Sequence, residues 1–181
     1  MTTHHRLIPP NGLCRALVFT VAMVAAVVVD GPPGIAAQHQ ALVAQAPPND
    51  RFPAELMPLV RSLRDAGYRV LFAPPPIQGA YGATHARKKI IWLSPITVDL
   101  GIARHVLVHE AVHAAQGCPA GRLRPIGWSY PLPRTVDREM SGLLYRNYPH
   151  AKHEVEREAF MMQSHPKAFP LIAAALKQRC R

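Results

Sequence analysis

A chain of 181 residues with a formal net charge of +10 is 49% hydrophobic and only 18% charged. That length allows one ordinary domain with a real core, and that composition excludes a disordered or low-complexity chain. The basic residues are scattered through HARKK, RLRP, PRTVDR and KQRCR with no interleaved aromatic patch, so no nucleic-acid-binding module is expected.

Arg6 and Arg15 precede an uncharged apolar run from Ala16 to Val29, and small residues follow in GIAAQ. A basic region, a short apolar stretch and a small-residue cut after Ala37 define a signal peptide over 1–37. The run is shorter than the ~20 residues that span a bilayer comfortably, although left uncleaved it would serve as an anchor. Export to the periplasm or the cell exterior is the expectation. The surplus of basic residues then suits contact with an anionic envelope surface. Cleavage removes Cys14 and leaves Cys118 and Cys180, an even pair bound for an oxidising compartment, so a disulfide is expected between them. Closing so long a loop stabilises a fold by about 4 kcal/mol in the chain-entropy picture.

Residues 38–52 read as an N-terminal arm, and 53–181 as the folded domain. Helical spacing of Leu56, Leu59, Val60 and Leu63 predicts a first helix from Pro53 or Ala54 to Ala66, with Gly67 as its stop. YRVLF (68–72) reads as a strand closed by the prolines at 74–76, GAYGAT (79–84) as a turn-rich stretch, and KKIIWL (88–93) as a second strand. Asp99 is the expected N-cap of a long helix from Leu100 to Gln116, with Gly117 as its stop. An irregular loop over 117–135 follows. Helices are then expected from about 136–138 to before Pro149, from His150 to Gln163, and from Phe169 to Arg179. This order predicts an α+β fold, with a small sheet packed on a central helix ahead of a mostly helical C-terminal half.

That central helix carries HEAVH. His109 and His113 are four residues apart, so their rings leave the helix on one face about 40° apart, at a separation that a metal ion can bridge. Glu110 stands beside the pair, placed to take a proton from a water and return it to a leaving group. The flanking residues Val106, Leu107, Val108, Val112 and Ala114 make the helix apolar around much of its girth, hence buried. Two histidines and a glutamate buried there need partners, and a metal supplies one. Catalytic zinc takes three protein ligands, so a third is required. Downstream, in KHEVEREAFMMQ (152–163), Glu156 and Glu158 both edge the buried face of a helical wheel, while Glu154 falls on the solvated side. His153 is a further candidate.

HEAVH followed some forty residues later by EREA resembles the gluzincin branch of zinc metallopeptidases, and the mature region is similar to small, exported, uncharacterised HExxH proteins of cyanobacteria. The resemblance implies a minimal zincin-like domain with zinc held by His109, His113 and Glu156 and with Glu110 as general base. It departs from several gluzincin families at Phe160, where they carry an aspartate that supports the site. The longer HExxHxxGxxH pattern is not met, because Gln116 stands where its glycine would be.

The implied activity is hydrolysis of a peptide or protein substrate, with specificity from the 117–135 loop and from the strand at 88–93 read as a sheet edge. Tyr130, Tyr145, Tyr148, His150 and His153 are candidates for stabilising an oxyanion. Trp92 and Trp128 read as core or cleft residues, and His85 as exposed. No GxSxG or phosphate-binding loop is present. Two other readings fit the same residues: an exported zinc-binding protein without turnover, and a basic, membrane-anchored structural protein.

Overall fold

Leu59, Val60 and Leu63 recur at helical spacing, and in the computed structural model, which describes residues 52–181, they form the buried face of helix α1 (Met57–Asp65). The expected signal peptide, its cut after Ala37 and all of the arm but Phe52 lie outside the described residues. A 3-10 turn (Ala54–Leu56) leads into α1, and Pro58 sits in the first turn, where no backbone donor is required. Gly67 ends the helix as expected. At a φ of +85° its N–H donates to the Arg64 carbonyl, and the N–H of Tyr68 reaches back to that of Leu63. Lys89 Nζ donates to the Ala66 carbonyl at 3.0 Å, satisfying a further helix-end acceptor.

Three short strands form one sheet: β1 (Arg69–Phe72), β2 (Gly82–His85) and β3 (Ile90–Leu93). Their order is β1-β3-β2, with β3 parallel to β1 and antiparallel to β2. Alternation along β3 sends Ile91 and Leu93 into the main core, while Ile90 and Trp92 pack with Ala83, Leu71 and Ile77 in a second, smaller cluster. Two expectations are corrected here. GAYGAT is not only a turn, since its end forms β2 by pairing Ala83 with Trp92 and Thr84 with Ile91. The strand near 88–93 is central rather than an edge, because β2 covers its free side.

The small residues that hide β2 in the sequence are what let a helix lie against it. A Cβ on Gly82 would fall 2.6 Å from Val106 Cγ1 and 2.9 Å from Glu110 Cγ. Gly82→Ala is therefore expected to destabilise the fold by about 1–3 kcal/mol, as overpacking does, and the shift in the urea midpoint measures it.

Thr97 Oγ1 donates to the Ser94 carbonyl at 2.6 Å, which starts a one-turn helix, α2 (Ile96–Asp99). Asp99 thus ends α2 instead of capping the long helix. Gly101, at a φ of +67°, turns the chain, and α3 runs from Ala103 to Gly117. Every residue of α3 from Val106 to Gly117 is buried, because β2, β3 and two later helices, α5 (His153–Gln163) and α6 (Ala168–Arg179), all pack on it. Between them α4 (Arg134–Asn147) starts earlier than expected and packs on α5, burying Met140 and Leu144. Asp137 of α4 pairs with Arg157 of α5 at 2.6 Å. A 3-10 turn (His150–Lys152) precedes α5.

The Cys118–Cys180 disulfide is closed, tying the end of α3 to the end of α6. The domain is α+β, with six helices and a three-stranded sheet among the described residues. Within those residues no helix is long and apolar enough to cross a membrane.

Candidate metal centre

His109 and His113 lie one turn apart on α3, and α5 crosses that face and brings Glu156 to them. The two histidine Nε2 atoms are 3.1 Å apart, and Glu156 Oε2 is 3.4 Å from that of His109 and 3.3 Å from that of His113. Three donors bonded tetrahedrally to one ion at about 2.0–2.1 Å would sit about 3.3–3.4 Å from one another. The observed triangle matches those edges closely, so these three buried residues could hold a metal ion with little movement.

Unsatisfied atoms concentrate at the same point. Both Glu156 oxygens and Glu110 Oε1 are buried without a hydrogen-bond partner, and Trp92 Nε1 is the only other such side-chain atom among the described residues. A buried carboxylate carries a large desolvation penalty unless a cation meets it.

Two glutamines orient the rings. Gln116 Nε2 donates to the Val155 carbonyl at 2.8 Å and to Glu158 Oε2 at 2.9 Å, and both are acceptors only. Its Oε1 therefore faces His113 Nδ1 at 2.7 Å, so Nδ1–H donates and Nε2 is left for the centre. Gln163 Nε2 lies 2.9 Å from His109 Nδ1, an orientation in which the amide donates to the ring. Its oxygen and nitrogen are near-isosteric, and with the oxygen turned to the ring Nδ1–H donates here too, freeing the second Nε2. Gln116→Ala is expected to weaken zinc binding by roughly 10–100-fold, the usual effect of losing such an outer partner. Competition with a chromophoric chelator reads it.

The charges favour a cation between the three side chains. Burial lowers His109 to about 4. Burial would lower His113 too, but the Glu156 carboxylate 3.3 Å away outweighs it and raises that imidazole to about 9. Burial acts against ionisation of Glu156, yet its two histidine neighbours hold it down at about 2. Without a metal the carboxylate thus keeps a proton close on its partner, and a dication would supply that positive charge instead. Glu110 is raised to about 7, by burial first, with His113 and the Thr84 hydrogen bond opposing. Thr84 Oγ1, on β2, lies 2.8 Å from Glu110 Oε2 and 2.9 Å from the Glu110 carbonyl.

The other candidates are committed elsewhere. Glu158 accepts from Gln116 Nε2 and from Ile126 N–H on one oxygen, and from Gly127 N–H (2.6 Å) and Trp128 N–H (3.0 Å) on the other. It is an anchor for the loop after α3 and lies outside the triangle of His109, His113 and Glu156. His153 gives its Nε2–H to the Tyr148 carbonyl at 2.9 Å and faces His150, Nδ1 to Nδ1 at 3.4 Å. Tyr145 is 83% exposed, and the Tyr130 ring rests 4.4 Å from that of His165. Of the five oxyanion candidates, Tyr148 is the one linked to the centre by ring contacts: it meets Phe160 at 6.2 Å, and Phe160 sets its edge 4.8 Å from His109. Phe160, found where an aspartate was expected, therefore packs on a candidate ligand, while Gln163 makes the hydrogen bond to it.

Gln116, Gln163 and Thr84 were not anticipated. Gln116 lies three residues after His113 and Gln163 seven residues after Glu156, each hence on the same face as its neighbour. Both signals were present in the sequence. Thr84 was masked by the glycine-rich stretch around it.

No protein-family profile, curated protein or solved structure matches this chain.

Proposed function

We propose that the chain is an exported zinc peptidase of the HExxH type, a minimal zincin-like domain acting on a peptide or protein. His109, His113 and Glu156 would hold the zinc, and Glu110 would be the general base. The observation that carries this reading is the donor triangle, 3.1–3.4 Å on edge, beside a buried carboxyl whose Oε1 has no partner. A zinc ion in that triangle would supply Lewis acidity, making a water easier to deprotonate near neutral pH and polarising a carbonyl. The protein's own part is the proton. Glu110 Oε1 takes it from the attacking water and returns it to the leaving nitrogen, while Thr84 holds Oε2 in place. Because β3 is central, an extended substrate would pair with β2, the edge strand that touches Glu110. The Cys118–Cys180 disulfide is consistent with export.

A second reading, an exported metal-holding protein without turnover, is favoured by the closure of the centre. His109, Glu110 and Glu156 are 0% exposed and His113 is 2% exposed. One substitution separates the two readings. In a peptidase, Glu110→Gln keeps its zinc and its fold and loses about 10²–10⁴-fold in hydrolysis of a casein-type substrate. In the alternative, the unmodified zinc-loaded chain already shows no turnover.

A further inference from the structure

A cavity of about 350 Å³ opens between the turn joining β2 to β3, the loop after α3 and the start of α5. Arg87, Arg122 and Lys152 line it, with His85, Val155 and one acid, Glu154. Among the described residues the side chains of Arg87, Arg122 and Lys152 have no ion pair and no hydrogen bond. The loop is fitted closely to this wall: a Cβ on Gly121, at a φ of +74°, would fall 2.5 Å from Arg87 Cγ. A lining with three cationic residues, unpaired among the described residues, and a single acidic one makes a recess suited to an anion.

Its place relative to the metal centre is set by two elements. Val155, in its wall, is the neighbour of Glu156 on α5. On the other side β2 touches Glu110 through Thr84 and reaches the cavity at His85, with Arg87 following. β2 ends at His85 and a turn carries Arg87, so the three residues from Thr84 to Arg87 span at most roughly 10 Å, within about three residues of a substrate laid along β2.

We infer that this cavity receives the carboxylate of an acidic side chain within about three residues of the bond to be cut. The inference rests on the peptidase reading and names its substrate class: peptides carrying aspartate or glutamate near the scissile bond. Arg87 and Arg122 contact the carboxylate, Lys152 adds its field, and Glu154 opposes them.

Fluorescence anisotropy on the zinc-loaded Glu110→Gln chain reads binding apart from turnover. The probe is a labelled alanine–serine peptide carrying one glutamate near its centre, compared with its glutamine twin. The glutamate peptide is expected to bind about five- to tenfold tighter at low salt, as two or three partly exposed ion pairs allow. That ratio should fall to parity when Arg87→Gln and Arg122→Gln are combined. It should rise in Glu154→Gln, a gain that misfolding cannot produce. Equal binding of the twins by the parent chain, or a preference that survives the double arginine variant, overturns the inference. So does loss of heparin binding in that variant with no change in the twin ratio, which would assign the cavity to an anionic polymer. Hydrolysis by the unmodified chain is scored separately. Turnover blind to the glutamate removes the cavity's role and leaves the peptidase, whereas glutamate-selective binding without turnover removes the peptidase and leaves the cavity.

Discussion

Glu156→Ala should lower zinc affinity by more than about a hundredfold, exceeding the roughly 10–100-fold that follows loss of an outer partner such as Gln116. The reason is coordination. Removing Glu156 takes away one of three donors that stand 3.1–3.4 Å apart and leaves only the two imidazoles to bind the ion. The side chain packs at 0% exposure and no hydrogen bond ties its oxygens to the backbone; without it His113 loses the carboxylate that holds its proton and stays neutral, so the helices keep their packing. Far-UV circular dichroism of the metal-free variant should therefore stay native while a chelator competition shows the loss. Full zinc retention in Glu156→Ala would mean that another group completes the site.

Glu158→Ala should show the reverse pattern, a large loss of stability with a modest effect on zinc. Its carboxylate accepts from three consecutive backbone N–H groups, those of Ile126, Gly127 and Trp128, and from Gln116. Hydrogen bonds to a charged group contribute about 1.5–3 kcal/mol each, and part is recovered by water in a loop that is half exposed. A net loss of about 3–5 kcal/mol follows, or roughly 10 °C or more in Tm for a domain of this size. Zinc binding should weaken by no more than about 10–100-fold, transmitted through Gln116 to His113. An unchanged Tm, or zinc loss equal to that of Glu156→Ala, would contradict this division of labour between two carboxylates two residues apart on α5.

These two glutamates also mark how far the sequence could be read. HEAVH was legible because side-chain type and helical spacing jointly specify its geometry, and α3 is buried as its apolar girth predicts. The choice between Glu156 and Glu158 was not decided by the helical wheel. Both edge the buried face, and which meets the histidines depends on how α5 crosses α3 and on where the loop at 126–128 lies. Those are long-range features that no local pattern encodes. β2 was hidden for a similar reason: Gly82 and Ala83 have little intrinsic preference for a strand and are held in one by β3 and by their closeness to α3. Asp99 has the right residue type for a cap, but the turn begun by Thr97 and Ser94 places it at the end of α2. The disulfide was readable from cysteine count alone, and the structure brings the two ends together at a Cα separation of 4.8 Å.

The most direct test of the central claim, that His109, His113 and Glu156 form one metal centre, is elemental analysis of the purified chain beside His113→Ala. About one zinc per chain should survive desalting of the unmodified protein, and His113→Ala should retain almost none. Equal metal content in the two, or none in either after exposure to zinc, would contradict it.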